Sequence, residues 1–189
     1  MSNLKISQLT ALTGAGTATD DLFVIVDTSA AQTKKIVLSQ AQIALFNGPA
    51  FSAFQSAAQS IPTGAFTKLV INTEEFDTAS AYDNATYRFQ PAVAGYYQIN
   101  GSTGLSSLTA TVIALSIYKN GSEYKRGARV ATTATAIDLS VTSLLYLNGT
   151  TDYVELFLFQ NSAGAVNTDI SGGLVANTVT WFNGSLTRF

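Results

Sequence analysis

Apolar residues recur at every second position through three successive runs in the second half of the chain. Ile113, Leu115 and Ile117 alternate with Ala114 and Ser116. Leu139, Val141, Leu145 and Leu147 fall on one face, and Val154, Leu156 and Leu158 oppose Tyr153, Phe157 and Phe159. A period of two places alternate side chains on opposite faces of a strand, whereas a helix needs a period near 3.6. Three such runs predict an antiparallel sandwich with a shared core. Asn120-Gly121 and Asn148-Gly149 lie between runs. Both are hairpin signals, because a tight two-residue turn needs positive φ at both central positions. The run 153–159 is apolar on both faces. One face fills the core. The other needs cover, from a partner chain or from a loop of the same chain.

The stretch from Ala81 to Ile99, AYDNATYRFQPAVAGYYQI, predicts a strand, a break and a second strand. Pro91 has no N–H for a ladder and ends the first strand. Gly95 permits a close approach or an unusual backbone angle. Tyr96, Tyr97, Gln98 and Ile99 then form an aromatic-rich strand. Only 12% of residues are charged and 47% are hydrophobic. Typical charge content is roughly 25%, so a chain this apolar and this neutral is a folded one with surface to cover.

Several phrases, in order, resemble the C1q domain, the trimeric jelly roll shared with relatives of tumour necrosis factor. They are Ala50-Phe51-Ser52-Ala53, Tyr82-Asp83, Thr86 to Phe89 with Pro91 and Gly95-Tyr96, and Ile113 to Tyr118 with Lys119-Asn120-Gly121-Ser122. Leu147 with Asp152 to Leu156, and Phe182-Asn183-Gly184-Ser185-Leu186, complete the series. The resemblance spans about residues 50–189. It implies a mainly β, two-sheet antiparallel jelly roll that assembles as a homotrimer. In such a trimer the second apolar face of 153–159 would meet the three-fold axis.

Asn47-Gly48-Pro49 divides the chain, since Gly and Pro together end what precedes them. Residues 1–47 read as one module and 48–189 as another. In the first, Leu22 to Asp27 and Lys34 to Leu38 predict a hairpin. Ser39 with Gln42 forms a capping box, opening a helix whose apolar side is Ile43, Leu45 and Phe46. Ile6, Leu9 and Leu12 suggest a short helical turn near the start. A unit this small buries little alone and should dock onto something. Lys5-Ile6-Ser7-Gln8-Leu9, Gly14 to Asp21, Val26-Asp27-Thr28-Ser29 and Thr33-Lys34-Lys35-Ile36 resemble an N-terminal module of bacteriophage fibre and head-decoration proteins. That resemblance implies a virion-attaching end, with Leu22, Phe23, Val24, Ile25, Ile36, Ile43 and Phe46 as its apolar anchor residues.

The absence of His and Cys rules out a Ser-His-Asp triad, a Cys-His pair and any imidazole or thiolate zinc site. Glu74, Glu75 and Asp77 form the densest acidic group, but neighbours in a strand face opposite sides. They read as an exposed edge or loop, so no catalytic residue is assigned and the chain is not expected to be an enzyme. No metal ligand is assigned either; Asp77, Asp83 or Asp169 could supply oxygens to a calcium ion, which some C1q relatives bind, but no Asp-x-Asp-x-Asp pattern supports it. Gly14-Ala15-Gly16 reads as a flexible turn. Asn-x-Ser/Thr triplets at Asn84, Asn100, Asn120, Asn148 and Asn183 read as turns.

Recognition is expected in loops: Lys119 to Ser122, Arg126 to Thr135 and Gln160 to Gly173. Tyr124, Arg126, Arg129, Asn161, Asn167 and Asp169 are the candidate ligand residues. A net charge of −2 argues against nucleic acid as the partner. No run approaches the roughly 18 apolar residues of a membrane-inserted helix. The N-terminal Met-Ser-Asn-Leu-Lys lacks the apolar stretch of an export signal. The expected protein is therefore a virion structural component made in the host cytoplasm and displayed on the virion surface, as a head fibre, capsid decoration or short tail fibre. Its partners would be its own copies, capsid or tail proteins through residues 1–47, and a host-surface glycan or protein. The alternative is a secreted bacterial C1q-like module that binds carbohydrate or protein.

Overall fold

A computed structural model describes residues 22–27, 32–37, 48–106, 112–131 and 136–188. The chain divides into two compact units, Met1–Asn47 and Gly48–Phe189. In the first, β1 (Leu22–Asp27) pairs antiparallel with β2 (Gln32–Val37), placing Phe23 opposite Ile36 and Ile25 opposite Lys34. The expected hairpin is present, its second strand beginning two residues earlier than the apolar pattern suggested. The helix expected from Ser39, with Ile43 and Phe46, the turn near Ile6 and the Gly14-Ala15-Gly16 turn lie outside the described residues.

The second unit contains β3 (Ala50–Phe54), β4 (Ser60–Ile61), β5 (Phe66–Lys68), β6 (Thr73–Asp77), β7 (Tyr82–Asp83), β8 (Arg88–Phe89) and β9 (Gly95–Ser106). These are followed by β10 (Val112–Lys119), β11 (Ser122–Ala131), β12 (Ala136–Leu147), β13 (Val154–Gln160), β14 (Val166–Asp169) and β15 (Trp181–Arg188). One sheet runs β11-β10-β13-β8-β7, with β5 also on β13. The other runs β4-β14-β9-β15-β3-β6, with β12 along the free side of β9. Every pairing is antiparallel. The two-sheet antiparallel sandwich expected from the alternation is the observed fold.

The inward rows are the ones the period picked out. Ile113, Leu115, Ile117, Leu139, Val141, Leu145, Leu147, Val154, Leu156 and Leu158 all lie in one buried core. Its aromatic centre is Phe51, stacked on Phe89 at 4.3 Å and on Tyr82 at 4.9 Å, with Phe182 edge-on at 5.1 Å. The two buried tyrosines each find an acceptor. Tyr82 Oη donates to the Ile71 carbonyl and Tyr97 Oη to the Val93 carbonyl, both at 2.7 Å. Burial disfavours the phenolate and pushes Tyr97 up to about 12.

The chain leaves one sheet for the other between β8 and β9, where Pro91 follows β8 and Gly95 opens β9. The Asn-Gly pairs differ from each other. Asn120 and Gly121, at φ 53° and 78°, close the β10–β11 hairpin. Asn148-Gly149 makes no hairpin, because β12 pairs with β9 and β13 with β10. It begins a crossover between sheets instead. Asn148 Oδ1 accepts the N–H groups of Thr150, Thr151 and Asp152, so the side chain satisfies a loop that no partner strand serves. Gly149 has φ +71°, and a Cβ there would lie 2.5 Å from the Ala94 nitrogen. Glycine is needed for both conformation and space. Of the other Asn-x-Ser/Thr positions, Asn84 is in a turn, but Asn100 and Asn183 face each other in mid-sheet on β9 and β15.

Asp152 latches the crossover to the hairpin. Lys119 Nζ lies 2.8 Å from Asp152 Oδ2, and Asn120 Nδ2 donates to Oδ1 at 2.7 Å. Those donors, Lys119 first, hold the carboxyl below its ordinary value of 3.8. A carboxylate with a lowered folded pKa adds stability above the unfolded value and loses it as pH falls through the folded one. Asp152→Asn should therefore cost about 1 kcal/mol at neutral pH and should flatten the loss of stability on acidifying below 3.8. Urea unfolding at a series of pH values checks both; an unchanged acid limb contradicts the latch.

Candidate functional site

Two outward faces decide what this sandwich offers to other molecules. The first is the outer side of the β11-β10-β13 sheet. The second apolar face of β13 is half-buried by side chains of the neighbouring strands. Tyr118 stacks on Phe157 at 3.9 Å, and Phe66 on β5 meets Phe159 at 5.3 Å and Tyr118 at 5.7 Å. Arg88 lies over the Tyr153 ring at 4.4 Å. Buried Glu155, on the same face, takes Lys68 Nζ at 3.0 Å. Phe66, Tyr118, Tyr153, Phe157 and Phe159 stay half-buried, an aromatic surface knit together within the chain. The short strand β5 supplies Phe66 and Lys68, and periodicity gave no sign of it.

A groove of about 320 Å³ opens on this face. Its floor follows from register. Ala114 on β10 stands between Arg129 on β11 and Phe159 on β13, and Phe159 is in turn opposite Phe66. A small residue between three large ones leaves a gap. Asn161 closes one end, accepting the Val112 N–H through Oδ1 at 2.7 Å. Arg126 lines the other side and extends over the Phe66 ring, 5.6 Å from its centre.

Arg126 and Arg129 are three residues apart and would face opposite ways in a regular strand. They share the groove because β11 carries a bulge. Ala114 pairs with Arg129, but Ser116 pairs with Arg126, so one extra residue is inserted and the face is reset. Gly127 lies in that bulge, where a Cβ would come within 2.7 Å of the Val141 backbone on β12. Here glycine allows β11 to press against the other sheet.

The six expected ligand residues therefore divide. Arg126, Arg129 and Asn161 converge on the groove. Tyr124 is exposed further back on β11, beside Lys125. Asn167 and Asp169 belong to β14 of the other sheet, where Asp169 accepts the N–H groups of Ser171 and Gly172. Two expected loops are partly strand: residues 126–131 continue β11, and β14 interrupts 160–173. Ala114, Phe66 and Phe159, which give the groove its shape, were absent from the sequence-based candidates. In the sequence Phe159 reads only as an outward apolar residue.

The acidic group lies, as expected, on an edge. Glu74, Glu75 and Asp77 are on β6, with Glu75 accepting from Ser52 Oγ at 2.6 Å. Asp77, Asp83 and Asp169 each cap backbone N–H groups of their own turns. Among the described residues no three acidic side chains gather as a metal site would require.

The second face is the outer side of the other sheet. Tyr96 and Tyr146 are register partners on β9 and β12, edge-to-face at 5.5 Å, and are 37% and 45% exposed. Leu144 beside them is 50% exposed. Next to this patch lies an uncharged amide ladder. Gln98 Nε2 and Thr142 Oγ1 are 2.6 Å apart, Thr142 Oγ1 donates to Asn100 Oδ1 at 2.6 Å, and Asn100 Nδ2 donates to Asn183 Oδ1 at 2.9 Å.

No established protein family matches the chain, and no curated protein sequence does. Solved structures do. The globular domain of zebrafish complement 1qA protein superposes with a TM-score of 0.53 at 16% identity, covering 76% of this chain and 100% of that one. Murine APRIL gives 0.54 at 8% identity, over 74% of this chain and 99% of its own. The Eiger TNF from S. frugiperda gives 0.51 at 12%, over 75% and 92%. The sandwich therefore has the C1q and tumour-necrosis-factor type of jelly-roll fold. That is the fold expected from the motifs in 50–189.

Proposed function

We propose that this chain is a bacteriophage virion structural protein in which residues 48–189 form a homotrimeric C1q-like knob and residues 1–47 attach it to the particle. The knob serves host-surface adhesion, particle stabilisation or both, from a head fibre, capsid decoration or short tail fibre. The observation that carries the assembly is the face bearing Tyr96, Leu144 and Tyr146. Its apolar side chains are exposed, and the polar ones beside them are hydrogen-bonded to one another. Polar groups that already have partners cost little to remove from water. Such a face suits a partner copy better than it suits solvent. The virion reading is supported by the resemblance of residues 1–46 to phage modules and by the division of the chain into two units after Asn47. Catalysis has no part in it.

Mass spectrometry of purified particles against culture supernatant is the test. The full chain is expected with the particles, and a chain lacking residues 1–47 in the unbound fraction. Recovery of the full chain from supernatant alone overturns the reading in favour of a secreted binding module.

A further inference from the structure

The geometry points to the Arg126–Arg129 groove as a binding site for a carboxylated sugar, one acidic residue of a surface glycan. This rests on the adhesive part of the reading above and names the ligand class and the residues. Charge comes first. Arg126 is held by Glu123 in a two-point pair, Nε to Oε1 and Nη2 to Oε2, both at 2.7 Å. Glu123 also accepts from Ser116 Oγ at 2.7 Å, so both of its carboxylate oxygens have partners within the fold. No ion pair involves Arg129 among the described residues. The groove therefore keeps one positive charge beyond its internal pair, at its rim and exposed. A carboxylate matches a guanidinium with two parallel hydrogen bonds.

Shape supplies the rest. The floor and far wall are Ala114, Phe159 and Phe66, with no charge among them. The guanidinium of Arg126 is fixed by Glu123 and lies over Phe66, so that wall is pre-ordered before any ligand arrives. A volume of about 320 Å³ suits one sugar ring rather than an extended chain of rings. A pyranose presents an apolar C–H face that fits against aromatic side chains, and a uronate adds the anion that Arg129 requires. The groove is open to solvent across the strands, so the neighbouring sugars of a polymer can continue outside it.

The full chain should be titrated calorimetrically with a galacturonate tetramer and with its methyl ester, which keeps the rings and removes the charge. The acid should bind, and the ester at least tenfold more weakly. Arg129→Gln should weaken the acid at least tenfold. Ala114→Leu, which fills the floor, should abolish binding. Lys125→Gln should leave binding unchanged, because Lys125 is on the row opposite Ile117 and not in the groove. Thermal unfolding confirms that each variant is folded. No heat with the tetramer at millimolar concentration overturns the proposal, as does equal binding of acid and ester or full binding by Ala114→Leu. Benzoate binding without tetramer binding also overturns it, in favour of an aromatic acid. Any of these failures leaves particle association intact, so the loss of this site is distinguishable from the loss of the virion reading.

Discussion

Phe51→Ala is expected to remove about 3–5 kcal/mol of stability. That is a large share of the roughly 5–15 kcal/mol available to a domain of this size. Phe51 is 1% exposed and joins Tyr82, Phe89 and Phe182, so one deletion empties the meeting point of β3, β7, β8 and β15. Close packing leaves the surrounding rings little room to collapse into the gap. The thermal midpoint should fall by roughly 10 °C. Phe51→Leu, which restores part of the volume, should recover a substantial part of the loss. A fall below about 1 kcal/mol for the alanine variant, judged against that tail of core truncations, would mean that the aromatic centre is not the structural keystone it looks.

The second large effect concerns assembly. The unmodified protein should sediment at three times the chain mass of 19.9 kDa. Leu144→Lys combined with Tyr146→Lys should convert it to single chains. These side chains are 50% and 45% exposed, so the isolated fold tolerates lysine there. In an interface of the usual roughly 800 Å² per partner, two unpaired charges would be desolvated together. The native midpoint should also rise with protein concentration, and that of the variant should not. Sedimentation equilibrium decides the matter. A native protein that sediments as one chain, or a variant that stays at three, removes the proposed interface.

Periodicity was reliable where both neighbours of a strand obey it. The inward rows of β10, β12 and β13 were legible because burial acts on every second residue, whatever the partner. The outward rows were less legible for a related reason. The outward row Phe157 and Phe159 gains in-sheet contacts from Tyr118 and Phe66, which are remote in sequence, and is left half-buried. The outward row that is open, Tyr96 with Leu144 and Tyr146, reads as scattered among polar residues. It becomes a patch only when β12 pairs with β9 in the observed register.

The groove shows the same division. Arg126 and Arg129 are candidate ligand residues on the sequence alone. Their common direction depends on a bulge that no residue pattern announced. Asn148-Gly149 likewise promised a turn and gives one, yet a turn does not say whether the chain stays in its sheet.

Residue types and their spacing alone determined the sandwich class, the inward faces, the β10–β11 turn and the exclusion of His- and Cys-based chemistry. These follow from local rules: alternation, turn stereochemistry and the presence or absence of a functional group. Tertiary structure decided which outward row is half-buried, which is more exposed, and which side chains share a groove. Those outcomes depend on strand register and on contacts between residues up to about a hundred positions apart, and a one-residue bulge is enough to reverse them.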